Sequence, residues 1–281
     1  MRLLVTGASG KLGSVVAAEL AAAGHDVLRI DQSGARSADF VQVDLTDYGQ
    51  VADAMHGVDD RASGFDAVVH LAALPSGGLA PDSATFHNNM NATFNVFQAA
   101  RRAGIDRIVY ASSETLLGIP FETPPPYLPV DEEYPTRPES MYSLVKHLEE
   151  ELARKLVRWN PQLSITGLRF SNVMVPADYA GFAAWQDDPA ARRWNLWGYI
   201  DARDAAQAIG LALEHSAAGF ETYVIANADT VMERPSAELA AAVFPEVELR
   251  HPLEGRESLL SIEKAKRMLG YAPRHSWRDG A

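Results

Sequence analysis

Val5-Thr6-Gly7-Ala8-Ser9-Gly10-Lys11-Leu12-Gly13 lies between an apolar run at the start of the chain and an alanine-rich segment with helical spacing. Leu3 to Val5 is apolar enough for a buried strand. Gly7 supplies the tight turn off its end, and Gly10 lets a pyrophosphate approach the backbone. Gly13 allows the following helix to pack closely on the sheet. That helix then aims its free N–H groups and positive dipole end at the phosphates. Glycines spaced as G-x-x-G-x-x-G also fit a strand–helix junction that merely packs tightly, so the context has to decide. Residues 26–30 form a second apolar run ending at Asp31, eighteen residues beyond Gly13. An acidic side chain there accepts hydrogen bonds from the ribose hydroxyls of a dinucleotide.

Working outward, strand patterns fall at 3–6, 26–30, 40–43, 67–71, 107–111, 164–170 and 221–226. Helical patterns fall between them at 12–23, 48–55, 84–103, 142–160 and 204–214. Strands spaced by helices predict an α/β fold with a doubly wound parallel sheet. Pro120 to Pro138, with Pro124-Pro125-Pro126, cannot be helical and reads as an extended loop, either bordering a site or acting as a rigid connector. Beyond residue 172 come a Trp-rich segment, a helix, a strand and two short helices near 237–243 and 261–269. This predicts residues 1–171 as the dinucleotide-binding unit and 172–281 as a small substrate-binding lobe interleaved with the end of the main sheet.

At 281 residues and 47% apolar content the chain can bury a sizeable core. A net charge of −12 argues against nucleic-acid and anionic-membrane surfaces. Zero cysteines exclude disulfides and thiolate chemistry, no His pair has metal-ligand spacing, and nothing reads as a signal peptide or membrane span. A cytoplasmic protein is the expectation.

Further landmarks follow in order: Asp44-Leu45, His70-Leu71-Ala72-Ala73, Asn91-Ala92-Thr93-Phe94-Asn95-Val96, Ser112-Ser113, Tyr142-Ser143-Leu144-Val145-Lys146 and, near the end, Leu269-Gly270-Tyr271-Ala272-Pro273. With the glycine motif, this series resembles the extended short-chain dehydrogenase/reductase superfamily, the branch of NAD-dependent epimerases and dehydratases, over nearly the whole chain. The resemblance implies a Rossmann-type fold and NAD as cofactor. It implies that Gly7, Ser9, Gly10, Lys11, Leu12 and Gly13 hold the pyrophosphate and that Asp31 holds the adenosine ribose. Asp44 and Leu45 would contact adenine, Leu71, Ala72 and Ala73 would let the cofactor lie against backbone, and Asn91 would help organise the site. Asp44 also reads as an ordinary turn or cap residue. Asp31 repels a 2′-phosphate, which favours NAD over NADP, although Arg29 and Arg36 are near enough in sequence to complicate this.

Tyr142 and Lys146 are four apart, one helical turn on one face. A lysine cation beside the phenol favours phenolate, so Tyr142 is expected to have a lowered pKa and to exchange a proton with a substrate hydroxyl. Lys146 would also hold the nicotinamide ribose. Ser113 is expected to polarise the reacting oxygen, with Ser112 serving the backbone at the strand end. His70 reads as a packed strand residue. Glu114-Thr115 replaces the Asp-Glu pair of the family's dehydratases, which makes dehydration unlikely. The outline is closer to short uronate dehydrogenases.

Between Asn172-Val173 and Ile200-Asp201 the chain leaves little length to enclose a nucleotide diphosphate. Arg192 and Arg193 with Trp185, Trp194, Trp197 and Tyr199 suggest a compact pocket with an aromatic wall and one cation, suited to a sugar, sugar acid or polyol. The same residues also fit plain packing or a subunit contact. Ser76, Ser113, Glu114, Thr115, Asn172, Arg192 and Arg193 are the candidate substrate contacts. The resemblance also implies a homodimer built as a four-helix contact of helices 84–103 and 142–160; Leu148, Leu152 and Leu156 repeat at helical spacing and fit either part of that seam or a face turned to the sheet.

Overall fold

The computed structural model describes residues 1–57, 64–215 and 217–280. In chain order the strands are β1 (Arg2–Thr6), β2 (Asp26–Asp31), β3 (Phe40–Gln42), β4 (Ala67–His70), β5 (Arg107–Ser113), β6 (Tyr127–Leu128), β7 (Ser164–Phe170), β8 (Val173–Met174), β9 (Ile200–Asp201), β10 (Gly219–Ile225) and β11 (Glu248–Leu249). The helices are α1 (Lys11–Ala22), α2 (Tyr48–His56), α3 (Asp82–Arg102), α4 (Met141–Trp159), α5 (Ala202–His215), α6 (Ser236–Val243) and α7 (Glu263–Leu269).

Seven strands form one parallel sheet in the order β10-β7-β5-β4-β1-β2-β3. It is the predicted Rossmann-type architecture. Every residue of β4 and of β7 is buried, as expected of strands with both faces covered. Alternation along β1 sends Leu3 and Val5 into one apolar layer with Val16, Leu20, Leu168 and Ile209, and Leu4 into the other with Val51, Val96, Phe97 and Leu156. The chain winds from β1 outward to β3 and then crosses back to β4. The order therefore reverses between β1 and β4, and a crevice opens outside their carboxyl ends.

Strand β5 runs two residues further than expected and carries Ser112 and Ser113 within the sheet, paired with Arg169 and Phe170 of β7. Helix α4 starts in a capping box, with Ser140 Oγ accepting from Ser143 N at 3.2 Å and Ser143 Oγ accepting from Ser140 N at 2.8 Å. That cap fixes the first turn, which holds Tyr142. The expected leucine stripe divides. Leu156 is buried against the sheet, while Leu148 and Leu152 are half-buried. Successive fourth residues drift about 40° round a helix, so the third leucine rotates onto the inner face.

The chain beyond residue 171 is not separate from the sheet, because β10 is its edge strand beside β7. The Pro-rich loop contributes β6, which pairs in parallel with β11. Between β8 and β9, which pair with each other, lie two irregular turns, Pro176–Trp185 and Pro189–Asn195.

Candidate active site

The turn after β1 has the shape of a phosphate cradle. Gly7 has φ +67°, and a Cβ there would lie 2.6 Å from the Ala72 amide nitrogen. A Cβ on Gly13 would meet Gly7 O at 2.0 Å, so helix and turn pack at a distance only glycine permits. Gly10 caps α1 with no side-chain hydrogen bond, leaving first-turn amides for an anion. Ser9 N donates to Asp31 Oδ2 at 3.0 Å, and Ser9 Oγ donates to Ser33 O at 2.6 Å. Asp31 thus braces the loop from the end of β2, where a ribose would lie. Lys11 Nζ pairs with Asp178 Oδ2 at 2.8 Å and ties the cradle to the C-terminal segment. Leu12 is half-buried behind it.

Asp44 Oδ1 accepts from Thr46 N and Thr46 Oγ1 at 2.9 and 2.7 Å, the turn role weighed for it from sequence. It also borders, with Gln32, Gln42 and Gln50, a hollow of about 480 Å³ at the sheet edge where adenine would sit. Leu45 is buried, and its carbonyl accepts from Asn95 Nδ2 at 2.9 Å. Arg29 is committed to Asp39 at 2.8 Å and to Ser37, whereas Arg36 is exposed. Leu71, Ala72 and Ala73, half-buried, form the facing wall after β4. These residues fit NAD.

At the carboxyl end of β5 the predicted trio converges. Ser113 is buried, and its Oγ accepts from Thr115 N at 3.1 Å and from Thr115 Oγ1 at 2.9 Å. Tyr142 is buried beside it, with Lys146 Nζ 5.8 Å from the ring centroid. Lys146 Nζ donates to Ala111 O and to Glu149 Oε2, both at 2.8 Å. Burial raises the Tyr142 phenol above its ordinary range. Lys146 and Ser113 pull it down, while Glu149 and Glu114 push it up. The expectation of a lowered phenol pKa is corrected: Lys146 acts in the expected sense, but burial outweighs it. For Lys146, burial works against the ammonium, but the charges of Glu149, Tyr142 and Glu150 and the hydrogen bond to Glu149 together outweigh it, so the net shift is upward.

Two expectations change, for Asn91 and for Ser112. Asn91 is exposed, and Asn89 faces inward. Asn89 Oδ1 accepts from Leu74 N at 2.8 Å and its Nδ2 donates to Leu74 O at 3.1 Å, clamping the loop after β4. Two residues are about 200° apart on a helix, so only one of the pair can point at the sheet. Ser112 does not serve the backbone; its Oγ donates to Glu150 Oε1 at 2.8 Å, and Glu150 is held by Arg169 at 2.9 Å in a buried pair. His70 is a packed strand residue, driven down to about pKa 3 chiefly by burial and therefore neutral.

On the substrate side the two arginines part. Arg193 is exposed. Arg192 is buried between the rings of Trp185 and Trp194, 4.6 and 4.7 Å from their centroids, and its Nη2 donates to Asn172 Oδ1 at 3.1 Å and Gly198 O at 3.2 Å. Trp197 and Tyr199 are fully buried core residues rather than a pocket wall. Glu114, buried under Ser113, accepts from Ser171 Oγ at 2.6 Å and Asn195 Nδ2 at 3.3 Å. Burial raises Glu114 to about 7, against the pull of Ser171, Asn195 and Arg192. Arg192 Nε and Asn195 Oδ1 are buried with no hydrogen-bond partner among the described residues, so the cluster retains unused polar capacity. Thr115 is half-buried beside Ser113. Ser76 is exposed in the loop after β4, next to Gly77, where a Cβ would lie 3.7 Å from Ser140 at the head of α4. Asn89, Glu149 and Asn195 were not anticipated. Spacing signalled the first two, Asn89 in the Asn-rich run of α3 and Glu149 one turn from Lys146, whereas nothing local signalled Asn195.

Comparison with known proteins agrees with this geometry. Residues 3–226 match the NAD dependent epimerase/dehydratase family. A UDP-glucose 4-epimerase of Corynebacterium glutamicum is 28% identical over 309 aligned positions, covering 98% of this chain and 92% of the relative. An L-arabinose 1-dehydrogenase (NAD(P)(+)) of Haloferax volcanii is 36% identical over 159 residues, 54% of this chain and 59% of its own. The crystal structure of a short-chain dehydrogenase/reductase superfamily protein from Agrobacterium tumefaciens, with bound NAD, superposes with a TM-score of 0.74 at 25% identity, covering 99% of this chain and 94% of that one.

Proposed function

The chain belongs to the NAD-dependent epimerase/dehydratase family, and on that premise we propose that it is a dehydrogenase acting on a hydroxyl carbon of a small free sugar, sugar acid or polyol-like substrate. In this reading residues 1–171 carry the cofactor and the Ser113, Tyr142 and Lys146 set, and residues 172–281 close the substrate side. The supporting observation is the compactness of the segment between Asn172 and Ile200. Phe182 of its first turn and Arg192 and Asn195 of its second are buried, and Arg192 is locked between Trp185 and Trp194 onto Asn172 and Gly198. In this reading so short a segment suits a monosaccharide better than a nucleotide diphosphate.

NAD, when bound, supplies the hydride acceptor. Tyr142 Oη takes the proton of the substrate hydroxyl as the carbinol carbon is oxidised. Ser113 Oγ orients that oxygen, and Lys146 stabilises the phenolate by its charge. Gly7, Ser9, Gly10, Lys11, Leu12, Gly13, Asp31, Asp44 and Leu45 hold the cofactor, with Leu71, Ala72 and Ala73 against its other face. The inward asparagine Asn89 takes the organising role expected of Asn91. Arg192, beside Glu114 and Asn172, receives an acidic substituent if the substrate has one, with Ser76 and Thr115 at the rim. We place the reaction in the cytoplasm and in a homodimer formed through α3 and α4.

A second reading, an epimerase that oxidises a nucleotide sugar transiently and returns the hydride to its other face, is favoured by the UDP-glucose 4-epimerase aligned along 98% of the chain. One experiment separates the two. Purified protein with NAD is offered aldoses, uronates and UDP-sugars while NADH absorbance is followed. Accumulating NADH with a free sugar supports the dehydrogenase. Co-purifying NAD, conversion of a UDP-sugar to its epimer and no net NADH support the epimerase and end the first reading.

A further inference from the structure

Lys146 is an ammonium placed inside the fold, and the charge that answers it lies one turn further along α4. Glu149 is fully buried. Its Oε2 accepts from Lys146 Nζ at 2.8 Å, and its Oε1 accepts from Thr93 Oγ1 at 2.9 Å. Thr93 Oγ1 lies 3.0 Å from His70 Nε2, and His70 Nδ1 lies 2.7 Å from Thr6 Oγ1. Thr6 Oγ1 in turn accepts from the amides of Leu71 and Ala72 at 3.2 and 3.3 Å. A single assignment of protons satisfies this series. The two amides donate to Thr6, Thr6 donates to His70 Nδ1, His70 Nε2–H donates to Thr93, and Thr93 donates to Glu149. The hydrogens all run toward Glu149, so its Oε1 accepts, and with Lys146 donating to Oε2 both oxygens act as acceptors, as those of a carboxylate do. Burial, with the charge of Glu150, pushes its pKa up on balance against the pull of Lys146 and Thr93, and the Lys146 ammonium on one oxygen with the Thr93 hydroxyl on the other is the donor set that a carboxylate takes.

We propose that Glu149 is a positioning residue that fixes Lys146 and, through its buried negative charge, sets the pH at which the Tyr142–Lys146 pair gives up the proton used in hydride chemistry. This rests on the assignment of Tyr142 and Lys146 to catalysis made above. With Glu149 ionised, phenol, ammonium and carboxylate sum to zero charge, and loss of one proton leaves a net negative charge in a poorly solvated place. Without that carboxylate the same loss takes the pair from positive to neutral and costs less. The sign is the same whichever member releases the proton, because the two titrate as one pair.

Other groups around the pair are accounted for. From α4 itself comes Glu150, held by Arg169 and Ser112. From β5 come Ser113, the Ala111 carbonyl and buried Tyr110, whose phenol is pushed well up by burial and by the charges of Glu150 and Glu149, from the turn after it Glu114, from α3 Thr93, and from β4 the neutral His70. Glu114 is the one with a pKa near neutrality, so the comparison is repeated in a Glu114→Gln background.

The test measures kcat/KM against pH for wild type, Glu149→Gln and Glu149→Asp. In the protein alone it also follows the tyrosinate absorbance band, with Tyr142→Phe identifying the Tyr142 contribution. Glu149→Gln should move the ascending limb about one pH unit or more to lower pH. Glu149→Asp, which keeps the charge but draws it back from Lys146, should move it less in the same direction. An equal loss of activity at every pH, with the limb and the tyrosinate band unmoved in folded Glu149→Gln, overturns the proposal. If that variant does not fold, an unmoved limb and band in Glu149→Asp does so. Full activity in Tyr142→Phe overturns the catalytic assignment instead, and the tyrosinate titration then still decides the role of Glu149.

Discussion

Glu114 follows Ser113 directly, and its chemistry is set by what surrounds it rather than by its neighbours in sequence. A buried carboxyl with Ser171, Asn195 and the Asn172 backbone as donors, and with Arg192 nearby, stays protonated to about pH 7, well above the ordinary carboxylate value of 4.5. Because the folded pKa is raised, stability falls once pH passes the value at which the unfolded chain ionises Glu114, while the folded carboxyl still holds its proton. The advantage of its protonated form is complete below about pH 4.5 and is lost as pH rises through about 7. Glu114→Gln should therefore gain stability relative to wild type between about pH 5 and 7.5, by up to ~3 kcal/mol. Urea unfolding of the two proteins across that range measures it, and a constant difference would mean that Glu114 ionises as if in water. The same residue bears on binding. While Glu114 is protonated the Arg192 charge is not cancelled, so an anionic substrate meets a net positive wall below about pH 7.

The segment from β8 to β9 shows how one short element sorts residues that look alike. Arg192 and Arg193 are adjacent, yet the turn Pro189–Asn195 sends one between two indoles and the other to solvent. Arg192→Ala should raise KM for a sugar acid at least tenfold while lowering kcat much less, since a charged hydrogen bond to a carboxylate acts in the ground state as in the transition state. The matching neutral aldose should change little, and Arg193→Ala should leave both substrates as in wild type. Equal effects of Arg192→Ala on acid and aldose would show that the guanidinium only props the two tryptophans. Helix α3 gives the parallel lesson for asparagines. Asn89 clamps Leu74, while Asn91, two positions on, faces away from the sheet.

Across the fold as assembled, the order reversal between β1 and β4 brings together a cradle from the first turn and a Tyr–Lys pair from a helix well over a hundred residues later. The helices α3 and α4 lie side by side on one face, with Phe94 exposed and Leu148 and Leu152 half-buried. Sedimentation at micromolar concentration should give a dimer, and Phe94→Glu should give a folded monomer by placing a charge in the seam. A wild-type monomer would remove the association proposal. The sheet and the cradle were legible because each depends on local rules. Alternation and helical period name the buried faces, and Gly7 and Gly13 stand where only a missing Cβ lets turn, wall and helix meet. Ser113, Tyr142 and Lys146 were legible for the same reason: a strand end and one helical turn place them. Sequence by itself thus determined the fold class and the cofactor, and it placed Ser113, Tyr142 and Lys146 near one another. The identity of the inward asparagine, the separation of Arg192 from Arg193, the partnership of Ser112 with Glu150, the burial that holds the Tyr142 phenol high and the carboxylate that answers Lys146 were settled by packing. Each depends on which side chains from distant elements share a volume without water, and periodicity along one element carries no record of the charge or donor that another element brings against it.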